Sequence, residues 1–114
     1  MNLTVEIKDR IGIVRIAGSM VFDESLLRLR AHVQEMLESG IRRFVVDVSE
    51  VPHIDSSGCG EVIRTYSSIL KADGLLAFVN PTERVRTLWA RIKIIDILKI
   101  SENIDEAIAL VQKS

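Results

Sequence analysis

The chain contains few residues of several types, and each shortage excludes a class of protein. Only one of its 114 residues is a cysteine, so an internal disulfide is excluded, which is typical of proteins in a reducing cytosol. Two prolines and six glycines leave no stretch that indicates a linker, a repeat or a low-complexity segment. No apolar run approaches the roughly 20 residues that a membrane-spanning helix needs.

The chain also lacks an excess of either charge. Fifteen basic residues oppose sixteen acidic ones, for a formal net charge of -1, and the aromatic residues do not alternate with Lys and Arg as in a nucleic-acid surface. The first residues have neither the basic nor the apolar region of a signal peptide. With 47% apolar and 27% charged residues, we expect a folded, cytoplasmic protein that contacts no membrane and no nucleic acid directly.

The periodicity of the apolar residues predicts the element order β-β-α-β-α-β-α-β-α. The strand patterns are residues 3–7, 11–17, 41–48, 75–79 and a short stretch within 94–100. The short turn at Asp9-Arg10 predicts an antiparallel hairpin between the first two strands. Because the later strands alternate with helices, we expect parallel crossovers onto one mixed sheet with helices packed against it. The sequence therefore predicts a single α/β domain over residues 1–114.

Capping residues and apolar stripes define the four helices. Asp23 is predicted to cap the first, Asn80 the third, with Pro81 at its first helical position, and Asn103 the last. The inward stripe of the first helix is Leu26, Leu29, Val33, Met36 and Leu37. The second stripe is Cys59, Val62, Ile63, Tyr66, Ile69 and Leu70. The third is Val85, Leu88, Trp89 and Ile92, and the last is Ala107, Ile108 and Val111.

The segment Val51-Pro52-His53-Ile54-Asp55-Ser56-Ser57-Gly58-Cys59-Gly60 carries the most functional information. It follows a buried strand, and binding sites on open α/β sheets gather at the carboxyl ends of strands. One interpretation is purely structural: an N-terminal cap and turn, worth roughly 1 kcal/mol to the helix. The other is a phosphorylation site, because the free N–H groups and dipole of a helix N-terminus favour added negative charge.

Asp55-Ser56-Ser57-Gly58-x-Gly60 after an apolar strand resembles the motif of the STAS domains, the family of bacterial anti-sigma factor antagonists. The similarity extends over essentially the whole chain and includes Gly18 after the second strand and Asn80-Pro81 after the fourth. The chain departs from the family pattern at His53, and at Cys59 and Glu61, which stand where aliphatic residues are usual.

The resemblance implies a phospho-switch that is not an enzyme. Ser56 matches the serine that is phosphorylated by a partner, an anti-sigma factor that is also a serine kinase of the histidine-kinase-like ATPase type. The unphosphorylated antagonist binds this partner and the phosphorylated one releases it, so transcription is regulated. A serine phosphatase would reset the switch. ATP enters only through the kinase, and no cofactor of the chain itself is implied. The alternative is a STAS module that serves a larger assembly or a transport system without phosphorylation.

Residues around Ser56 are the expected partner contacts. Asp55 either caps the helix or positions the Ser56 hydroxyl, and Ser57 frames the site. Gly58 and Gly60 allow close approach by a partner or by a neighbouring strand, although a turn requirement would also explain them. The remaining predicted contacts are His53 and, in an exposed apolar loop, Met20 and Phe22. Phe22 could instead be a hydrophobic staple against the first helix.

Other chemistries have weaker support. Cys59 lies on an apolar stripe, which favours a buried small side chain over a nucleophile paired with His53. One cysteine and two histidines do not form a recognisable metal site, so none is expected. Gly58-x-Gly60 lacks the third glycine of a dinucleotide-binding loop. Arg84, Arg86 and Arg91 form either a solvated face or a patch for an acidic partner.

Overall fold

The computed structural model describes residues 1–112 and confirms the predicted order of elements. The strands are β1 (Asn2–Lys8), β2 (Ile11–Ala17), β3 (Arg43–Glu50), β4 (Leu75–Val79) and β5 (Lys99–Ser101). The helices are α1 (Ser25–Glu38), α2 (Ser56–Lys71), α3 (Glu83–Arg91) and α4 (Ile104–Gln112). None of these helices is long and apolar enough to cross a membrane.

The five strands form one mixed sheet in the order β1-β2-β3-β4-β5. The hairpin β1–β2 is antiparallel, and each later pair is parallel, as the sequence predicts. Asp9 and Arg10 both have positive φ, 51° and 66°, which gives the turn the twist that a two-residue hairpin requires. The helices α1, α2 and α3 contribute buried side chains to the same core, so they lie on one face of the sheet, as right-handed crossovers that all advance in one direction require.

A large core fills the space between that face and the three helices. Its sheet side includes Val14, Phe44 and Phe78, which are all fully buried. Trp89 of α3 packs edge-to-face on Phe78, with the ring centroids 5.3 Å apart. The opposite face of the sheet has a smaller core, which α4 covers with Ala107 and Val111, as predicted.

The capping prediction for Asn103 is confirmed, but those for Asp23 and Asn80 are wrong in position, since the N-cap of α1 is Glu24, which makes no side-chain cap hydrogen bond. The Asn103 side chain accepts a hydrogen bond from the Glu106 N–H at 2.9 Å, and the Asp23 carboxylate accepts one from the Ser25 N–H at 2.6 Å. The cap of α3, however, is Thr82, whose side chain accepts from the Val85 N–H. Asn80 instead has φ 45° and donates its N–H to the Ser101 carbonyl, so it turns the chain beside β5.

The predicted stripe of α2 is also partly wrong. Cys59, Val62 and Ile69 are buried, but Ile63 and Leu70 are 44% and 43% exposed. Glu61 and Thr65 are buried in their place. The covered face is rotated toward them because α2 is flanked by α1, a contact that the apolar pattern alone does not show. The predicted stripe of α3 is wrong at Ile92, which is exposed because α3 ends before it, at Arg91.

Candidate functional site

The site lies where two loops at the carboxyl edge of the sheet run side by side. The loop after β2, residues 18–22, continues parallel to the loop after β3, residues 51–55. The Met20 N–H donates to the His53 carbonyl at 3.0 Å, and the Asp55 N–H donates to the Met20 carbonyl at 3.2 Å. A single bridge pairs Met20 with Ile54. The parallel pairing of β2 and β3 is thereby extended to the beginning of α2.

Asp55 holds both loops to the first turn of α2. Its Oδ1 accepts a hydrogen bond from the Gly58 N–H at 2.9 Å, and its Oδ2 accepts one from the Phe22 N–H at 3.1 Å. The Gly58 hydrogen bond lowers the pKa of the Asp55 carboxyl below its ordinary value, against a smaller opposing effect of burial. The capping role that the sequence offers for Asp55 is therefore the one observed.

Gly58 and Gly60 have different surroundings although they are two residues apart. A Cβ on Gly58 would lie 2.2 Å from the Met20 carbonyl oxygen, a distance no real side chain adopts. Gly58 is buried under the neighbouring loop, so the prediction that it contacts a partner is wrong. Apart from its chain neighbours and the backbone of α2, the atom nearest to a Cβ on Gly60 would be Nη1 of Arg64, at 3.8 Å, so the fold does not require this glycine.

Ser56, the predicted phosphorylation site, is exposed at the first position of α2. Ser57 follows it and is half-buried. The first N–H groups of an α-helix have no partner within the helix, and the dipole is positive at this end. Another protein can therefore reach the Ser56 side chain, and the helix end tolerates an added anion there.

Ser56 lies at the edge of a groove of about 560 Å³ between the N-terminal parts of α1 and α2. The groove combines exposed apolar side chains with charged ones. It is lined by Phe22, Asp23, Glu24, Leu26, Leu27, Arg30, Ser56, Ser57, Gly60, Glu61 and Arg64. Phe22 is 83% exposed, which rules out its alternative role as a staple against α1. Exposed apolar area beside a polar rim is typical of a surface that binds another protein.

Met20 is not part of this surface. Its relative exposure is 1%, and its side chain belongs to the main core. The prediction that Met20 contacts a partner is wrong because its side chain is packed in the main core, whereas Phe22, two residues later, faces solvent. Apolar character alone did not distinguish these two positions.

His53 is exposed on the other side of the loop, away from the groove with Ser56. It lines a second groove of about 580 Å³ against α3, together with Ile54, Glu83, Arg84, Thr87, Leu88 and Arg91. The structure therefore separates His53 from Phe22 and Ser56 and brings it close to two of the three arginines noted in the sequence.

Sequence reasoning missed an ion pair between α1 and α2. Glu61 is 2% exposed, and its carboxylate accepts hydrogen bonds from Nε and Nη2 of Arg30, at 2.5 to 3.0 Å. A buried carboxylate needs such a partner, because an unpaired charge in the interior is strongly destabilising. A glutamate within an otherwise apolar helical stripe was the available signal.

Cys59 is buried, as the sequence predicts, and burial raises the pKa of its thiol. A raised thiol pKa disfavours the reactive thiolate. Within residues 1–112, no three His, Cys, Asp or Glu side chains are close enough together to hold a metal ion.

Comparison with known proteins places this site in a family. Residues 2–107 match the sequence profile of the STAS domain. A Thermotoga neapolitana protein, provisionally named an anti-sigma factor antagonist, is 32% identical over 78 residues, which cover 68% of this chain and 69% of that protein.

Solved structures have the same fold. A provisionally named anti-sigma factor antagonist from Thermotoga maritima superposes with a TM-score of 0.88 at 25% identity, over 97% of this chain and 95% of that one. The anti-sigma factor antagonist SpoIIAA in its unphosphorylated form gives 0.79 at 18% identity, over 99% and 100%. Its phosphorylated form, described as a Bacillus protein, gives 0.77 at 18%, over 96% and 99%. With its α/β architecture and its Asp55–Gly60 motif at the start of α2, the chain belongs to the STAS domain family.

Proposed function

We propose that this protein is an anti-sigma factor antagonist controlled by phosphorylation of Ser56. The unphosphorylated form binds an anti-sigma factor that is also a serine kinase, and the phosphorylated form releases it. The protein acts in the cytoplasm by binding rather than by catalysis. One observation carries the proposal: Ser56 is exposed at the helix N-terminus on the edge of an apolar groove, while its neighbours Asp55 and Gly58 hold the fold.

The physical basis of the switch is that the protein itself can accommodate negative charge at Ser56, whereas a partner packed over Ser56 cannot. Phosphorylation adds about -1.5 to -2 charges at neutral pH. The free N–H groups and dipole of α2 offset this charge within the protein, so the fold is retained. A partner packed over Ser56 and Phe22 would have to desolvate the phosphate. Moving the bound fraction from nearly complete to nearly zero takes roughly 5.5 kcal/mol of differential affinity, within reach of one desolvated phosphate.

The names of relatives support this proposal, since two curated proteins that the chain matches are provisionally named anti-sigma factor antagonists. The partner of this chain would be a histidine-kinase-like ATPase, which supplies ATP in the complex, and a serine phosphatase would restore the binding form. The edge of the groove supports a protein partner, because Phe22 and Leu27 expose large apolar side chains there.

The experiment combines the protein with each histidine-kinase-like ATPase of its own organism and ATP, and maps added phosphate by mass spectrometry. We expect one phosphate on Ser56, none on the Ser56→Ala variant, and normal modification of Ser57→Ala as the matched control. Binding of the same kinase, measured by calorimetry, should be lost in the phosphorylated protein.

Phosphate at another residue, or equal binding of both forms, contradicts the proposal. Binding to an assembly or transporter component without any phosphorylation of Ser56 would support the alternative, a STAS module in a larger assembly.

A further inference from the structure

The guanidinium of Arg64 lies over Gly60 in the groove that Ser56 lines. Its Nη1 is 3.8 Å from the position that a Cβ on Gly60 would occupy. Ser56, Gly60 and Arg64 are spaced four residues apart, so they lie along one face of α2. Helical side chains lean toward the N-terminus of their helix, which directs the arginine toward Ser56 across a residue without a side chain.

The two arginines of the groove differ in what they bind. Arg30 is occupied, because its fork holds the buried Glu61 carboxylate. Within residues 1–112, Arg64 has no carboxylate at ion-pair distance. Moving Arg30 onto another anion would leave Glu61 buried and unpaired, which is strongly unfavourable. Arg64 is therefore the cation in this groove that is available to a new anion.

We propose that Arg64 is the intramolecular counter-ion of phosphorylated Ser56, and that its guanidinium moves over Gly60 to take the phosphate oxygens in its fork. This inference rests on the proposed function, which makes Ser56 the phosphorylated residue. Ser56 and Gly60 are separated by about 6 Å of helix rise, a gap that a phosphoserine and an arginine can close together. The planar guanidinium matches phosphate geometry with two parallel hydrogen bonds.

Phosphorylation would then change the partner surface in two ways. It adds negative charge at Ser56, and it withdraws Arg64 from the groove, where the unmodified protein presents it to the partner. An aliphatic residue at position 64 could produce only the first effect. Gly60 serves the switch in this arrangement by leaving room for the arginine, which gives a reason for a glycine that the fold does not require.

The second pKa of the phosphate would report on Arg64, because the carboxylates around the groove and a contact with Arg64 shift this pKa in opposite directions. Asp23, Glu24 and Asp55 would raise the second pKa of the phosphate above its usual value of about 6. Arg30 and Glu61 form a pair of no net charge. A contact with Arg64 acts in the opposite direction, because it favours the dianion.

The test introduces phosphoserine at position 56 during translation, so that no kinase is needed, and titrates the phosphate by 31P NMR. We expect the second pKa of the phosphate to rise by about half a unit or more in Arg64→Gln. Arg64→Lys should recover part of the difference, because it keeps the charge without the fork. Arg84→Gln is the matched control, since it removes one exposed arginine from the other groove and should leave the titration unchanged.

Two further measurements distinguish a direct contact between Arg64 and the phosphate from a general effect of removing one positive charge. The side-chain Nε–H signal of Arg64 should shift between the unmodified and the phosphorylated wild-type protein. Gly60→Leu should raise the phosphate pKa as Arg64→Gln does, because it blocks the path of the arginine without removing charge.

Equal phosphate pKa values in the wild type and Arg64→Gln, or no shift of the Arg64 signal, overturn the inference. That result leaves the proposed function standing if a kinase modifies Ser56. If no kinase modifies Ser56, the titration still tests the contact between Arg64 and the phosphate, because the phosphoserine is introduced during translation.

Discussion

The segment from Asp55 to Gly60 has an inward half and an outward half with opposite relations to the fold. Asp55 and Gly58 face the loop after β2, where they make hydrogen bonds and a backbone contact too close for any side chain. Ser56 and Gly60 face the groove between α1 and α2. The same contrast recurs in the neighbouring loop, where Met20 is buried and Phe22 is exposed.

This difference shows how a short motif combines a rigid support with an adaptable surface. The inward residues keep the beginning of α2 in place whatever happens on the surface. The outward residues can then be modified or covered without loss of the fold. Substitutions in the two halves should therefore separate cleanly into effects on stability and effects on binding.

The largest expected effect on the free energy of unfolding separates alanine substitution at Gly58 from the same substitution at Gly60. Gly58→Ala would place its Cβ 2.2 Å from the Met20 carbonyl oxygen, so the two loops must move apart. We expect a loss of about 3 kcal/mol or more, as for a severe backbone clash. Gly60→Ala should instead gain about 0.5 to 1 kcal/mol, because alanine favours the helix. Urea denaturation measures both, and equal destabilisation would refute the distinction.

The neighbouring loop offers the second test. Met20→Ala should lower the free energy of unfolding by about 2 to 5 kcal/mol, because it opens a cavity in the main core. Phe22→Ala should change it by no more than about 0.5 kcal/mol while weakening partner binding. Thermal denaturation and calorimetry with the partner kinase provide the measurements. Retained binding by Phe22→Ala would remove Phe22 from the contact surface.

A third prediction concerns the charge of Asp55. Asp55→Ala should cost about 1 kcal/mol of stability at neutral pH, since the cap of α2 is lost. The Gly58 hydrogen bond holds the pKa of Asp55 below its ordinary value, so its ionic contribution is present above that ordinary value and is lost as the pH falls through the lower folded value. The difference in unfolding free energy between wild type and variant should therefore shrink only in acid. A difference that already shrinks near neutral pH would contradict the assignment.

The smallest effect on stability is expected for charge at the outward serine. Ser56→Asp should leave the free energy of unfolding within about 0.5 kcal/mol of the wild type, because the helix N-terminus favours an anion. It should nevertheless bind the partner kinase poorly. Ser57→Asp is the control for added charge, and it should bind better than Ser56→Asp. Tight binding by Ser56→Asp would show that charge is not what releases the partner.

Most of the architecture could be predicted because its signals are local. The alternation in β1, the stripe of α1 and the cap at Asn103 each depend on residues within a few positions of one another. The local pattern failed at the start of α3. Asn80 was the predicted cap of α3, but Thr82 is the cap, and Asn80 instead contacts Ser101 of β5, which is distant in sequence.

The candidate site was predictable in position but not in orientation. The motif and its place after β3 were visible in the chain, and Ser56 was identified through the resemblance of that motif to the STAS domains. The buried state of Met20 and Gly58 was not visible, because it arises where the loops after β2 and β3 pair with each other. The Arg30–Glu61 pair was hidden for the same reason, since it joins residues on two helices.

The sequence by itself determined the order of strands and helices, the mixed sheet and the helix N-terminus that carries Ser56, because hydrophobic periodicity and capping act over a few residues. Only the tertiary structure decided which residues of the motif face inward, which face the groove, and that the buried Glu61 of α2 pairs with Arg30 of α1. Those outcomes depend on contacts between segments far apart in the chain, and such contacts form only when the layers pack.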